Sequence, residues 1–549
     1  MSTATIEVPV LIVGGSLVGM SAATLLGQHG VPSLTVEHHR GTAIHPRAAM
    51  ATQRTMEVFR GAGLESAIQN RSAEQFVQDG GIVAVETLAG GVTRHFIADL
   101  NAGVRDVSPS ERLFLSQNAL EPLLKERALA LGATIRFATE VISVEEHSDA
   151  VTSKLRHRDT GEITTVHSQY VIAADGAHSR IRQQLGIGMH GHPTFSKSVT
   201  IYFRAPMRPL LDGKQWSVVY VNNDRLRGFF RFEKPFDSAF LVVNTVGDPS
   251  HPRRDVSTDF SNERALEFVR IALGRDDVPV EIDNVMHWQA AAEVADRFQT
   301  DRIFIAGDAA HIMPPTGGFG GNTGVQDAHN LAWKLALVLS GRAPRSLLST
   351  YEHERLSASS LTVEQAYTRY VLRTDPSIGT SQAQELVNDL NIELGYVYRS
   401  LAINPDGPDD GAMHLSPRET CGRPGTRAPH LWLTKDGERI SSLDLYNNAF
   451  VLLGGPDSQD WCDHGRSVSA QTGIDVDVLR LGTHGLTCGD EAGPADATSP
   501  SQFAAAHGID PSGCLLVRPD GFVAWRARSD EHASPELLAS AVTQAVGRA

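Results

Sequence analysis

The chain is poor in cysteine, in long apolar runs and in blocks of positive charge. Its 549 residues include only four cysteines, all in the last quarter. A secreted protein held together by disulfides uses cysteine far more densely, so a reducing cytoplasm is the expected compartment. No apolar run of about 18 residues is present, and no basic region precedes the first apolar stretch, so neither a membrane span nor a signal peptide is expected.

Positive charge is outweighed by negative charge: the chain has 49 Lys and Arg and 64 Asp and Glu, which gives a formal net charge of −15. Nucleic acids and anionic membranes attract proteins electrostatically, and this charge has the wrong sign for either. The chain is 41% hydrophobic, which is ample for a core and excludes a disordered or collagen-like protein. At roughly 150 residues per domain, the length alone predicts three or four domains.

The first feature that the sequence does contain is a strand, a glycine turn and a helix. Val8–Val13 is a short apolar run, and Gly14-Gly-Ser-Leu-Val-Gly19 follows at once. Gly14 permits the tight turn, Gly19 permits close packing of helix on strand, and the free N–H groups of the helix suit a pyrophosphate. Glu37, at the end of the next strand, suits a ribose hydroxyl pair. Ser16 replaces the middle glycine and crowds the approach to the phosphate. The segment predicts a dinucleotide site.

Two later motifs place an aspartate after an apolar strand. Asp175 stands in the run AADGAHSRIR, and Asp308 stands in the run RIFIAGDAAHIMPP. An aspartate delivered to a glycine turn suits a ribitol hydroxyl, and the loop Gly317–Asn322 opens a long helix whose positive end suits an anionic ring edge. Taken one at a time, each motif is equally consistent with an ordinary turn or a capped helix.

Together, in this order and spacing, the three motifs are far more specific. Over about residues 7–400 the chain resembles the class A flavoprotein monooxygenases, which share the fold of para-hydroxybenzoate hydroxylase. The runs GTRAPHLW, from Gly425, and CLLVRPDGFVAWR, from Cys514, resemble the aromatic polyketide hydroxylases within that family, such as anthracyclinone and angucyclinone hydroxylases. No second G-x-G-x-x-G follows a strand, as is typical of this family, in which NAD(P)H visits transiently. The lack of C-x-x-C weighs against dithiol reductases.

The patterns and the resemblance together predict an α/β fold of three parts. A Rossmann-like FAD-binding domain is expected at residues 1–75, 108–182 and 285–400. A mixed β-sheet substrate domain interleaved with it is expected at residues 76–107 and 183–284. A proline-rich linker is expected at 401–430, and a thioredoxin-like C-terminal domain at 431–549. Cys462 stands near the place of a redox dithiol but lacks a second cysteine, so that last domain is expected to be structural.

The resemblance implies FAD, bound tightly but non-covalently, and residues to hold it. Arg47 matches an arginine that faces the flavin and Gln117 matches a glutamine that contacts it. Pro315 and Gly320–Asn322 would lie along the isoalloxazine, where helix amides stabilise negative charge on the reduced ring. The full set of expected cofactor residues is Gly14, Ser16, Gly19, Glu37, Arg47, Gln117, Asp175, Gly307, Asp308, Pro315, Gly320, Gly321 and Asn322.

The implied activity is aromatic hydroxylation with NAD(P)H and O2, through a C4a-hydroperoxyflavin whose distal oxygen attacks an electron-rich ring carbon. A cation near the substrate hydroxyl lowers its pKa and favours the attack. Arg373 and Tyr220 are the candidates here, with Arg47 facing the flavin; an exposed helix arginine and a packed sheet tyrosine are the alternatives. Five aromatic residues are candidates either for a substrate wall or for plain core: Trp216, Phe229, Phe230, Phe240 and Trp288.

The leading hypothesis is a monooxygenase that hydroxylates a small aromatic substrate, in the first place a polycyclic polyketide phenol. The protein is expected to be a monomer or a homodimer. An antibiotic-inactivating enzyme, a catabolic phenol hydroxylase and a Baeyer–Villiger variant remain alternatives on the same fold. A flavin-binding redox sensor without turnover is the alternative outside enzymes. A halogenase is not favoured, since W-x-W-x-I-P is missing. His38-His39 and His190-x-His192 have no third ligand at a supporting spacing and are expected to be solvated loop residues, so no metal site is expected.

Overall fold

The computed structural model describes residues 4–44, 50–211, 213–246, 260–483, 485–488 and 498–548. Among them, no helix combines the length and the apolar character that crossing a bilayer requires. The strands are β1 Ala4–Val13, β2 Ser33–Val36, β3 Gly81–Val85, β4 Val92–Ile97, β5 Thr134–Arg136, β6 Thr139–Glu146, β7 Val151–His157, β8 Ile163–Ala173, β9 Met189–Arg204, β10 Trp216–Asn222, β11 Leu226–Glu233, β12 Ser238–Val246, β13 Glu281–Ala295, β14 Ile303–Ile305, β15 His311–Ile312, β16 Trp432–Lys435, β17 Glu438–Ser441, β18 Phe450–Gly454, β19 Val476–Arg480, β20 Leu486–Thr487, β21 Cys514–Val517 and β22 Val523–Ala527.

The helices are α1 Leu17–Gln28, α2 Gln53–Gly61, α3 Glu65–Gln75, α4 Gln117–Ala130, α5 Arg180–Gln184, α6 Arg208–Leu211, α7 Asn262–Leu273, α8 Phe319–Leu339, α9 Ser346–Arg369, α10 Asp389–Leu394, α11 Gln459–Thr472, α12 Pro500–His507 and α13 Pro535–Ala545. A π-helical turn, Tyr370–Thr374, continues α9. The predicted strand, glycine turn and helix at the start of the chain are confirmed as β1 and α1.

The first sheet brings the three sequence motifs to one edge. Its order is β5-β2-β1-β8-β7-β6, with β14 also paired to β8, and β1, β2, β8 and β14 run parallel. Val13 pairs with both Val36 and Ala173, and Ala173 pairs with Ile305. Each of these is the last residue of its strand, so the segments that follow them emerge side by side. Ligands of open parallel sheets bind at this carboxyl edge.

The second sheet has the order β15-β13-β9-β12-β11-β10-β3-β4. Helix α7 covers one of its faces, where Phe203, Phe230 and Phe268 are buried in a common core. The expected domain boundary at residue 285 falls inside β13, which pairs with β9 from Glu281 to Ala295. The strand therefore stays in the second sheet about ten residues longer than the sequence suggested. Its polar, exposed first half carried no strong strand signal.

The C-terminal region has a four-stranded sheet of order β19-β18-β21-β22 and a three-stranded sheet of order β17-β16-β20. Only the β18–β19 pair of the larger sheet is parallel. A thioredoxin-like identity for this region stays a prediction. Cys462 lies in the first turn of α11, and burial raises the pKa of its thiol, which disfavours the thiolate that redox chemistry needs.

Residues 401–430, expected to be a linker, form no helix or strand, yet they are packed against the body of the protein. Ala402, Thr426 and Ala428 are fully buried. Arg427 is buried too, and its Nε donates to Glu57 Oε2 of α2 at 2.8 Å. The segment therefore ties the C-terminal region to the first domain.

A second buried ion cluster joins the same two regions. Glu354 on α9 accepts from Lys334 Nζ of α8 at 2.8 Å and from Arg518 Nη1, which follows β21, at 2.6 Å. All three side chains are fully buried. Burial alone raises the pKa of Glu354, but the Arg518 and Lys334 charges outweigh it and hold that pKa far below its usual range. The carboxylate is therefore ionised and needs its cationic partners.

Arg518→Met is expected to destabilise the protein strongly, because it leaves Asp520 with an unpaired buried charge and removes one of the two cations, Arg518 and Lys334, that pair with Glu354. Breaking a buried pair in this way costs about 3–5 kcal/mol. Arg528→Met is the matched control, because Arg528 is 67% exposed and its contact with Asp406 is 3.5 Å long; its cost should stay below about 1 kcal/mol. Urea unfolding of both variants measures the difference, and equal midpoints would contradict the account.

Candidate functional site

The glycine loop after β1 is closed so tightly that side chains do not fit. A Cβ on Gly14 would lie 2.2 Å from the Ala174 carbonyl oxygen, and one on Gly19 would lie 1.8 Å from the Gly14 carbonyl oxygen. Ser16 is the N-cap of α1, and its side chain makes no capping bond to the helix. The first N–H groups of α1 are thus presented at the sheet edge, where they suit an anionic group.

Glu37 lies beside this loop, as predicted. Its Oε2 accepts from the Gly15 amide at 2.7 Å and its Oε1 from the His39 amide at 2.8 Å. The side chain is buried, so its orientation is fixed from both sides. The carboxylate stands next to the turn where a dinucleotide's ribose is expected.

Glu121 is a site residue that the sequence analysis missed. It is fully buried on α4, and its carboxylate accepts from Ser16 Oγ at 2.5 Å, from the Ala43 amide at 2.6 Å and from Gln117 Nε2 at 2.7 Å. Gln117 Nε2 also donates to Ser16 Oγ at 2.6 Å. Two predicted cofactor residues are therefore held by one unpredicted carboxylate. The available signal was the Gln117-x-x-x-Glu121 spacing, which places both on one helix face.

The two motif aspartates lie at the ends of β8 and β14. Asp175 Oδ2 accepts from the Ile181 amide at 3.3 Å, while its Oδ1 is buried and has no hydrogen-bond partner within the described ranges. Asp308 follows Gly307 on a short 3-10 turn and is exposed at the edge. A buried carboxylate oxygen without a donor implies a missing partner. The closed glycine cradle and this oxygen both fit FAD, with its ribitol hydroxyls as donors.

Asp327, on α8, holds the Gly307–Asp308 turn in place through a hydrogen bond. Its Oδ2 accepts from the Gly307 amide at 3.0 Å and from His311 Nε2 at 2.7 Å, and its Oδ1 accepts from Arg355 Nε at 2.8 Å. Burial raises the pKa of Asp327, but the His311 and Arg355 charges more than offset this and lower it overall. His311 packs within the motif, and the sequence analysis missed both Asp327 and Arg355.

The glycine-rich loop before α8 is shaped by Asn322. Its Oδ1 accepts from the Thr52 amide at 2.9 Å, and its Nδ2 donates to the carbonyls of Met50 and Gly318 at 2.9 and 2.6 Å. The side chain is thus used within the protein. Gly320 and Gly321 are half-buried in the first turn of α8, and Pro315 is exposed beside them.

The open face of the second sheet continues from this loop. Val218 packs in one apolar cluster with Met50 and Phe114, and Tyr220 lies two residues further along β10, on the same face. The Tyr220 ring is 5.4 Å from Phe96 and 5.8 Å from Phe229. Phe240 and Tyr202 extend this aromatic face, with centroids 5.9 Å apart. The face is suited to a flat aromatic molecule.

The five candidate wall residues divide between the two faces. Phe229, Phe240 and Trp288 lie on the open face, where Trp288 Nε1 donates to Thr200 Oγ1 at 3.0 Å. Phe230 and Trp216 pack in the core under α7, so of the two alternatives that the sequence left open they belong to the core. Strand alternation puts Trp216 on the face of Tyr220, but the register of β10 shifts between Trp216 and Val218 and reverses it.

Arg373 lies in the π-helical turn after α9, and its positive charge affects the pKa of Tyr220. Burial raises the pKa of the Tyr220 phenol, and the Arg373 charge partly lowers it again. Tyr370, in the same turn, is buried and donates to Ser196 Oγ of the second sheet at 2.9 Å. The two catalytic candidates are therefore brought together. The third, Arg47, lies outside the described residues.

One of the two histidine pairs differs from expectation in position: His38 and His39 are exposed loop residues, as expected, whereas His190 and His192 are not on a loop. Glu37, His38 and His39 present ligand atoms within 4.8 Å of one another, so a carboxylate does accompany the first pair. Because the oxygens of Glu37 already accept from the Gly15 and His39 amides, we assign it to the dinucleotide loop. His190 and His192 lie on strand β9 rather than on a loop. They face different carboxylates, Asp296 at 2.8 Å and Glu364 at 3.1 Å.

Comparison with known proteins identifies two family models along the chain. Residues 7–366 match the FAD binding domain model, and residues 421–549 match the aromatic-ring hydroxylase C-terminal model. The chain is 49% identical to 4-methyl-5-nitrocatechol 5-monooxygenase of a Burkholderia species, over 98% of both chains. It is 36% identical to aklavinone 12-hydroxylase of Streptomyces purpurascens, over 96% of both. The crystal structure of aklavinone-11 hydroxylase with FAD and aklavinone has a TM-score of 0.90, 34% identity and full coverage of both chains.

Asp308→Ala is expected to weaken FAD retention, because it removes a carboxylate from the cofactor edge. Loss of a charge-assisted hydrogen bond predicts a dissociation constant raised by about tenfold or more. Asp301→Ala is the matched control: Asp301 is exposed at the opposite end of β14. Flavin absorbance after gel filtration measures retention. Cys462→Ser should keep both FAD and turnover; loss of turnover there would contradict the structural role of α11.

Proposed function

The chain belongs to the family of FAD-dependent aromatic-ring hydroxylases, and on that premise we propose that it transfers one oxygen atom of O2 to a phenolic ring, with NAD(P)H as the reductant. Bound FAD supplies the redox chemistry, and the protein supplies binding, orientation and electrostatics. The cofactor would be held by the residues of the carboxyl edge described above, from Gly14 to Asn322 along the chain.

The observation that carries the proposal is the aromatic face that bears Tyr220, next to the glycine-rich loop, together with Arg373 in the turn after α9, whose charge lowers the pKa of Tyr220. An ionised phenol is more electron-rich at its ring carbons, and a nearby cation lowers the pKa of a phenol. Arg373 is the group assigned to this task. Tyr220, whose pKa burial raises, stays protonated near neutral pH and is assigned to donate a hydrogen bond to the substrate oxygen.

Two phenolic substrate classes are supported by different observations. The 49% identity to a 4-methyl-5-nitrocatechol monooxygenase favours a single-ring catechol, a catabolic role. The TM-score of 0.90 to a hydroxylase crystallised with aklavinone, and the extended aromatic face, favour a polycyclic polyketide phenol. Both need the same cation and the same cofactor edge. They differ in how much of the face from Tyr220 to Tyr202 the substrate covers.

The wider setting of the enzyme follows from its charge and its cysteines. The four cysteines all lie in the part of the chain that the structure describes and form no disulfide there, which supports a reducing compartment such as the cytoplasm. The net charge of −15 supports small-molecule rather than nucleic-acid partners. A monomer or homodimer stays the expected assembly.

The test of this function is a panel of single-ring catechols and polycyclic phenols given to the FAD-loaded protein. A substrate is expected to stimulate NAD(P)H oxidation and to yield a product heavier by one oxygen atom. Coupled turnover of catechols alone, or of polycyclic phenols alone, decides between the two classes. Bound flavin that no phenol stimulates would contradict the proposal and favour a redox sensor.

Arg373→Gln is expected to shift the pH profile rather than merely lower the rate. Without the cation, the pKa of the bound phenol rises, and each unit of that shift lowers the ionised fraction at neutral pH about tenfold. Activity should therefore return as the pH is raised. Arg373→Lys keeps the charge and should keep most of the wild-type profile. An unchanged profile in Arg373→Gln would contradict the assigned role.

A further inference from the structure

The turn that carries Arg373 is the π-helical turn Tyr370–Thr374 at the end of α9. The Asp375 amide donates to the Tyr370 carbonyl at 3.0 Å, so this bond spans five residues instead of the four of an α-helix. Turns of this kind are rare in proteins and are frequent at functional sites. The wider turn changes the direction in which Arg373 leaves the helix, so the contacts that hold the turn also set where this cation lies.

Tyr370 anchors the turn to the second sheet. The residue is 1% exposed, and its hydroxyl donates to Ser196 Oγ of β9 at 2.9 Å. The Phe195 ring meets the Tyr370 ring edge-on, with the centroids 5.2 Å apart. Burial raises the pKa of the Tyr370 phenol, and the nearby charge of Asp375 adds to this. The hydroxyl therefore stays protonated near neutral pH and remains a donor to Ser196.

The Tyr370 hydroxyl lies among small polar side chains of two strands. Hydrogen bonding to Ser198 on β9 and to Asn244 on β12 partly offsets the rise of its pKa, and Asn244 Nδ2 donates to Ser198 Oγ at 3.2 Å. Val199 and Val243 pair with each other and belong to the core under α7, so strand alternation turns Ser198 and Asn244 to the open face. We call these buried side chains the polar cluster: Tyr370, Ser196, Ser198 and Asn244.

The end of α9 just before the turn is held by a different contact. Arg369 is 1% exposed, and its Nε donates to Asp389 Oδ1 of α10 at 3.1 Å. Beyond this point, Tyr370 ties the chain to the sheet. Arg373, three residues further on, is half-buried, and its charge acts on Tyr220 of β10. The guanidinium thus lies within electrostatic reach of the open face, and the polar cluster holds the turn from which it extends.

We propose that Tyr370 is a positioning residue, whose hydrogen bond to Ser196 sets the distance between the Arg373 guanidinium and the oxygen of the bound phenol. The inference rests on the proposed function, because it concerns the same cation and the same substrate oxygen. Tyr370 is too buried to contact the substrate and acts through Arg373. Electrostatic attraction falls with distance: at an effective dielectric constant of about 20, moving the cation from about 4 to about 5 Å raises the pKa of the phenol by roughly half a unit.

The test is Tyr370→Phe, which removes the hydroxyl and keeps the ring that packs on Phe195. The FAD-loaded protein is titrated with 4-nitrocatechol, whose ionised form absorbs visible light, without NAD(P)H. Difference spectra recorded across a range of pH give the pKa of the bound probe. We expect Tyr370→Phe to raise this pKa by about half a unit, which lowers the ionised fraction about threefold at a pH below it. The pH profile of turnover should move upward by the same amount.

Tyr367→Phe is the matched control from the same helix. Tyr367 lies in the last turn of α9 and packs through its ring, which stacks on His192 at 3.6 Å and meets Phe195 edge-on at 5.2 Å. Removal of its hydroxyl should leave the pKa of the bound probe at the wild-type value. Flavin absorbance after gel filtration should show that both variants retain FAD.

Two further variants distinguish positioning from a general weakening of the fold. Ser196→Ala removes the acceptor of the same hydrogen bond and should raise the pKa of the bound probe as Tyr370→Phe does, which also guards against a misfolded first variant. In an Arg373→Gln protein, Tyr370→Phe should add no further shift, because the charge that it positions is gone.

An equal pKa of the bound probe in wild type and Tyr370→Phe would overturn the proposal. An equal shift with and without the Arg373 charge would overturn it as well, because Tyr370 would then act by another route. Failure of the proposed hydroxylation would look different: no phenol would stimulate NAD(P)H oxidation even in the wild type. Failure of the positioning role alone would leave wild-type turnover intact and abolish only the difference between the variants.

Discussion

Asp327 has no solvent-exposed surface, and both of its carboxylate oxygens are bound. One oxygen accepts from the Gly307 amide and from His311, and the other from Arg355 on α9. A buried carboxylate is tolerated only when its charge is paired and its lone pairs are satisfied. Its position therefore dictates where β14 ends, how the Gly307–Asp308 turn is held, and how α8 and α9 lie beneath it. The cofactor edge rests on this one group.

Helix α9 also connects the buried Asp327 cluster to the C-terminal region. Glu354 precedes Arg355 on α9 and binds Arg518, while Arg355 binds Asp327. Successive residues of α9 thus hold the cofactor turn and the C-terminal sheet. Arg427 and Glu57 make a second buried connection between the regions. The C-terminal region is in this sense a structural part of the flavoprotein.

Much of the fold followed from local sequence rules. Apolar runs ending in glycine or aspartate marked β1, β8 and β14, and parallel pairing then brought their ends together. The long-range polar contacts could not be predicted, because Glu121 and Asp327 bind residues that are distant from them along the chain. The face on which Trp216 lies could not be predicted from strand alternation, because a register shift in β10 reverses it. The motif identified Asn322 correctly as a residue of this loop, but its side chain hydrogen-bonds the protein backbone.

The central claim is that this protein places an aromatic ring beside FAD and oxygenates it. The most direct measurement is turnover under ¹⁸O2 with a phenol that stimulates NAD(P)H oxidation, followed by product mass spectrometry. The account predicts one ¹⁸O atom in each product molecule. Consumption of NAD(P)H with hydrogen peroxide as the sole oxygen product, or a product whose new oxygen comes from water, would contradict it.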